Sequence, residues 1–177
     1  MRLYHFSEEP AIRVFDPRPP LRHPESEALV YAIEDAWSPL YFFPRDCPRI
    51  GVCEGGKPVR LLIDARFEDL WRNGRLFRYE FDPAGFMDCK DHGVFVATRQ
   101  VLPIAVELLE DLPGLVAGRG IQTEIVASLT DAAAEFYDFE ERTFRCREHV
   151  SMIRMALLPD WPFEGGGPVV PNRDSGI

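Results

Sequence analysis

Residues 3–7 read LYHFS, and the fold class turns on them. The stretch alternates, and it runs into SEEPAI at residues 7–12, so it reads as a short strand followed by a turn or brief helix carrying Ile12. A histidine between two aromatics in a first strand is either a packed core residue or the first residue of a ligand site. Working outward, a proline-punctuated loop from Pro17 to Pro24 precedes ALVYAI, whose β-forming residues predict a second strand from Leu29 to Ile33. Ser38 followed by Pro39 has the form of an N-cap with proline at the first helical position, which predicts a short helix ending near Pro44 and burying Leu40, Phe42 or Phe43.

Further along, RIGVC and VRLLIDA read as strands flanking the turn EGGKP, and FEDLWRNG as one or two helical turns closed at Gly74. RLFRYEFDP alternates Leu76 and Tyr79, or Phe77 and Phe81, against charged neighbours and is the clearest half-buried strand. GVFVATR and PIAVELL are two more strands, split by a turn from Gln100 to Pro103. LPGLVAGRG reads as a helix, IQTEIV as a strand and TDAAAEFYDFEERTF as a helix capped by Thr130; HVSMIRMALL fits a strand or a helix. Residues 163–177 lack periodicity and read as a mobile tail behind one domain spanning residues 1–162. Short strands with small helices inserted, without strict βα alternation, define an α+β fold.

Composition narrows the function. A chain of 177 residues with 46% hydrophobic content and 13 Phe is long enough to bury a real core. Its formal charge of −9 argues against bulk binding of nucleic acid or anionic lipid, because phosphate recognition needs clustered Lys and Arg. Positive charge does concentrate in RVFDPRPPLRH and PRDCPR, where a solvated loop face is the simpler reading. Glu107, Glu110 and Asp111 likewise read as a soluble face. The four cysteines, Cys47, Cys53, Cys89 and Cys146, have no CxxC spacing; with His92 they match no zinc-finger pattern, so buried free thiols in a reducing cytoplasm are expected, without metal or membrane. GxGxxG, Walker, HExxH and GxSxG motifs are all missing.

LYHFS, LVYAI and SPLYFF, taken in order, resemble the opening of the ADP-ribosyltransferase fold, with the rifampin ADP-ribosyltransferases as the nearest comparison. Nearly the whole chain also resembles a family of short bacterial proteins of unknown function, through LYHFS, PLYFFPRDCPR and ATRQVLP. The first resemblance implies a split β-sheet and NAD as substrate. Breaking the bond to nicotinamide passes through an oxocarbenium-like state, so a site must hold the ribose, fix the ring and stabilise positive charge. By resemblance His5 holds the ribose, the backbone of Phe6 and the hydroxyl of Ser7 serve the nicotinamide side, and Tyr31 stacks, with Tyr41 a second stacking residue and Arg18 and Arg45 meeting the pyrophosphate. Two departures stand out: Phe6 replaces a frequent glycine, and Gly93 and Val94 stand where the family places its catalytic glutamate. Asp88 or Asp91 is then the substitute acid. The same fold admits an RNA 2'-phosphotransferase, for which Arg13, Arg18, Arg22, Arg45 and Arg49 would have to converge. It also admits a non-catalytic descendant that binds a small-molecule ligand or a partner.

Overall fold

The computed structural model describes residues 1–19 and 25–163. Its strands are β1 (Leu3–Ser7), β2 (Val30–Glu34), β3 (Arg49–Glu54), β4 (Lys57–Asp64), β5 (Leu76–Phe81), β6 (Met87–Asp88), β7 (Val94–Ala97), β8 (Ala105–Leu109), β9 (Gln122–Val126), β10 (Tyr137–Asp138), β11 (Thr143–Phe144) and β12 (Val150–Ile153). Three short helices, α1 (Glu68–Arg72), α2 (Leu112–Gly118) and α3 (Leu129–Ala133), sit between them. The protein is thus mixed α+β and mostly sheet, as the strand-rich pattern predicts. Among the described residues no helix is long and apolar enough to cross a membrane.

The strands form an antiparallel six-stranded sheet in the order β6-β7-β2-β1-β5-β8 and a four-stranded sheet in the order β12-β3-β4-β9, whose β4–β9 pair is parallel. Between the sheets lies a core of Leu40, Phe42, Phe43, Leu61, Ile63, Trp71, Leu76 and Leu112. On the opposite face of the six-stranded sheet Leu3, Val30, Ala32, Tyr79, Phe81 and Phe95 are covered by Phe15 from the loop after β1. A third cluster, Ile50, Leu62, Leu129, Val150 and Trp161, fills the outer face of the four-stranded sheet. Each β1 residue therefore has a definite side: Leu3 and His5 face the loop, whereas Phe6 packs into the inter-sheet core.

Four sequence expectations need correction. The helix expected to start at Ser38 is a 3-10 turn over Asp35–Tyr41 with Glu34 at its N-cap; Ser38 lies inside it and donates to the Glu34 carbonyl. A turn built on i→i+3 bonds tolerates Pro39 in its interior because it needs so few amides. The long helix expected from Thr130 stops at Ala133, and its N-cap is Ser128, whose hydroxyl accepts the Asp131 amide. Beyond it Asp138 accepts the amides of Glu140 and Glu141 and closes a β10–β11 hairpin whose Tyr137, Phe139 and Phe144 rings pack together. HVSMIRMALL is neither one strand nor one helix: Arg154, at φ 60°, divides β12 from a 3-10 turn over Met155–Leu157. Finally, Cys47 and Cys53 are buried but Cys89 and Cys146 are exposed. The expected tail lies, past Phe163, outside the described residues.

Candidate functional site around His5

Strand β1 pairs with β5 through all five of its residues but with β2 only through Leu3 and Tyr4. Beyond Tyr4 the two strands are linked by the His5 side chain, whose Nδ1 lies 2.9 Å from the Tyr31 carbonyl. A carbonyl only accepts, so Nδ1 carries the proton and Nε2 is left as an acceptor. Burial pushes the imidazole pKa down against the opposing pull of that carbonyl, so His5 is neutral at pH 7. The Phe15 ring stands 4.9 Å away and closes one side. The result is a fixed, neutral imidazole where the sheet parts.

The other expected site residues are distributed around this point, not all upon it. Tyr31 contributes its carbonyl, but its side chain leaves the opposite face of the sheet, 40% exposed, in one row with Val96 and Met87. The His5 and Tyr31 side chains are therefore not brought together, because their register places them on opposite faces. Tyr41 also lies on the inter-sheet side, stacked on Phe6 at 6.4 Å and beneath the Arg49 guanidinium. Ser7 shares the His5 face, where its hydroxyl accepts the Glu9 amide and shapes the turn. Arg18 and Arg45 are exposed; the first pairs with Leu29 through its backbone, and the amide of the second donates to Glu8.

The two candidate acids differ. Asp88 accepts from the amide and ammonium of Lys90, which hold its carboxyl below the usual range. Pairing puts Asp88 opposite Phe95, and Phe95 opposite Ala32; continuing the β1–β2 register puts Ala32 beside His5. Asp88 and His5 thus share a face, three strand spacings or roughly 14 Å apart. Asp91 lies elsewhere, its two carboxylate oxygens accepting from Arg147 Nη2 at 3.0 and 3.1 Å, and one of them lying 3.0 Å from His92 Nδ1. The His92 ring in turn packs 4.9 Å from Trp37.

Sequence reasoning missed this second cluster, since Arg147 is 56 residues from Asp91 and nothing in their neighbourhoods links them. Its hinge is Gly93, at φ +70°, whose missing Cβ would overlap the Trp37 ring. Gly93→Ala is expected to cost about 1–3 kcal/mol from backbone strain and overpacking together. Urea denaturation checks this, and a midpoint equal to that of the parent protein would show the hairpin to be slack.

The arginines needed by a phosphotransferase do not gather in one place. Arg13 lines a cleft with Tyr79 and Pro103–Val106 on the loop-covered side, whereas Arg49 is buried between the sheets on the carbonyls of Leu40 and Cys47. Arg22 lies outside the described residues.

A model for a family of unknown function, DUF6886, matches residues 4–60 and 52–157. The chain belongs to this family. The matched ranges run from Tyr4 in β1 past the end of β12 and include His5, Tyr31, Asp91 and Arg147. Comparison with the curated proteins and with the solved structures gave no match. DUF6886 membership carries no activity of its own, so a function has to be argued from the site.

Proposed function

We propose that the protein is an ADP-ribosyltransferase-like domain that binds NAD, with His5 holding the nicotinamide ribose. The observation that carries this reading is the neutral imidazole fixed by the Tyr31 carbonyl where β1 and β2 lose their pairing. A parted sheet gives a flat ligand an entry between strands. An Nε2 acceptor held there is matched to a ribose hydroxyl donor. Protonation would turn that acceptor into a donor, and the lowered pKa keeps it an acceptor at neutral pH.

ADP-ribosyl transfer needs one more part, a carboxylate beside the same ribose to support the developing cation. Asp88 shares the face of His5 but stands roughly 14 Å away, within the span of a dinucleotide and beyond one sugar. Asp91 is already neutralised by Arg147. The geometry therefore supports donor binding ahead of turnover, which makes a binding descendant of the fold the form of this reading that the residues favour.

Titration calorimetry with NAD tests it. The unaltered protein should bind, and His5→Ala should weaken binding by about three- to tenfold, the scale of one lost hydrogen bond to a neutral partner. Tyr31→Ala should change affinity less than about twofold, because only its backbone reaches His5. No heat at millimolar NAD, or equal binding by His5→Ala, overturns the proposal. Nicotinamide release, assayed on the same samples, separates transfer from binding.

A further inference from the structure

A second group of side chains lies away from His5, at the β12 edge of the four-stranded sheet. The segment RCREH runs into β12, and the Arg147–His149 stretch forms a 3-10 turn whose His149 amide donates to the Cys146 carbonyl. In such a turn residues three apart eclipse one another, so the two side chains are stacked. Cys146 Sγ lies 3.3 Å from His149 Nδ1, a thiol donating to an imidazole. Pairing of Val150 with Val52 lays the turn against β3, and between them opens a cleft of about 210 Å³. Its walls are Val52, Cys53 and Phe136, and Glu54, Glu135 and Arg145 stand around it.

We propose that Cys146 and His149 form a thiol–imidazole pair that reacts with small uncharged hydroperoxides entering this cleft. The chemistry balances without any further reagent. The Cys146 sulfur attacks one oxygen of the peroxide, forming S–O as O–O breaks. The thiol proton passes to His149 Nδ1 and from there to the departing oxygen, which leaves as an alcohol. Sulfur is oxidised from thiol to sulfenic acid while the peroxide is reduced. The apolar walls and the two acids beside Arg145, itself engaged by Asp138, favour an uncharged reactant over an anion.

The other thiols provide the contrast. Burial pushes Cys47 and Cys53 up to about 11. Burial and the nearby Asp88 and Asp91 raise the exposed Cys89 as well. None of these three makes a hydrogen bond to an imidazole among the described residues, so Cys146 alone combines exposure with a base.

The test uses the full chain, cumene hydroperoxide as oxidant and dimedone to trap sulfenic acid, read by intact mass and peptide mapping. One adduct is expected, at Cys146, and Cys89→Ser should keep the parent rate. His149→Gln should slow trapping about tenfold and leave a rate that climbs with pH like that of an ordinary thiol. Cys146 labelling no faster than Cys89 within the unaltered protein overturns the proposal without recourse to any variant. An unchanged rate and pH profile in His149→Gln, with melting temperature preserved, also overturns it. The site stands or falls independently of NAD binding at His5.

Discussion

Trp71→Ala is expected to remove about 3–5 kcal/mol of stability, a large part of the total for a domain of this size. Trp71 is 1% exposed in the core between the sheets, its ring stacked on Phe43 at 5.2 Å. Its Nε1 donates to the Phe42 carbonyl at 3.0 Å, so truncation leaves both a cavity and a buried acceptor without its partner. Helix α1 has five residues and no stability of its own at that length; the indole is what fastens it to the sheet. The damage should also spread. Phe42 packs edge-on against Phe6, one residue from His5, so the variant should lose NAD affinity together with stability. Trp71→Phe keeps most of the volume and should cost markedly less. Urea midpoints measure both, and an alanine variant within about 1 kcal/mol of the parent would mean that the core collapses to fill the gap.

The second large effect is at Asp64, a carboxylate with no exposed surface at the end of β4. One oxygen accepts the Arg66 amide and Nε at 3.0 and 2.7 Å; the other accepts Arg66 Nη2 at 2.7 Å and the Leu129 amide at 2.9 Å. A single side chain thereby caps the turn after β4 and fixes the first residue of α3, 65 positions away. Asp64→Ala should cost about 2–4 kcal/mol, because the buried Leu129 amide and the Arg66 amide of the turn lose their acceptor, whereas the Arg66 guanidinium, 40% exposed, keeps Asp160 and water. Asp64→Asn keeps an acceptor and should cost less. Burial pushes this carboxyl upward, but the Arg66 contacts and the Leu129 amide outweigh it, and the folded pKa lies below the ordinary 3.8. A depressed acid stabilises the fold fully above its unfolded value and loses that contribution as pH falls through the folded one. The parent should therefore lose stability on acidification below about pH 4, and Asp64→Asn should lose less over the same range. Parallel acid profiles of the two proteins would exclude Asp64 as the source.

Most strands were legible because their signals, alternation or a short β-forming run, are local. LYHFS and RLFRYEF show their period within a few residues, LVYAI and VFVA are short runs of β-forming residues, and each is a strand. What alternation leaves open is how one strand's faces correspond to another's. His5 and Tyr31 read as a pair in sequence, yet the register Tyr4↔Ile33 puts them back to back, and that register is set by contacts between residues 26 apart or more. The β10–β11 hairpin was hidden for a similar reason: TDAAAEFYDF has helical composition, and only the Asp138 turn and the packing of three rings override it. The Cys146–His149 spacing was visible, but i,i+3 becomes contact only once the segment is known to be a tight turn. The Arg147–Asp91 pair had no local signal at all.

The parallel pairing of β4 with β9 has a consequence for how the chain reaches this structure. Arg60 meets Gln122, so this edge of the four-stranded sheet closes only after α1, β5, β6, β7, β8 and α2 have all been made. The β3–β4 hairpin, turning at Gly55 and Gly56, can form early, whereas the β4–β9 ladder must repay the entropy of a long loop. A chain growing on the ribosome therefore carries Leu61 and Ile63 on an open edge until residue 126 has emerged. Slow, late closure of that edge should dominate the refolding kinetics, and fragments ending before Gln122 should aggregate more readily than the full chain.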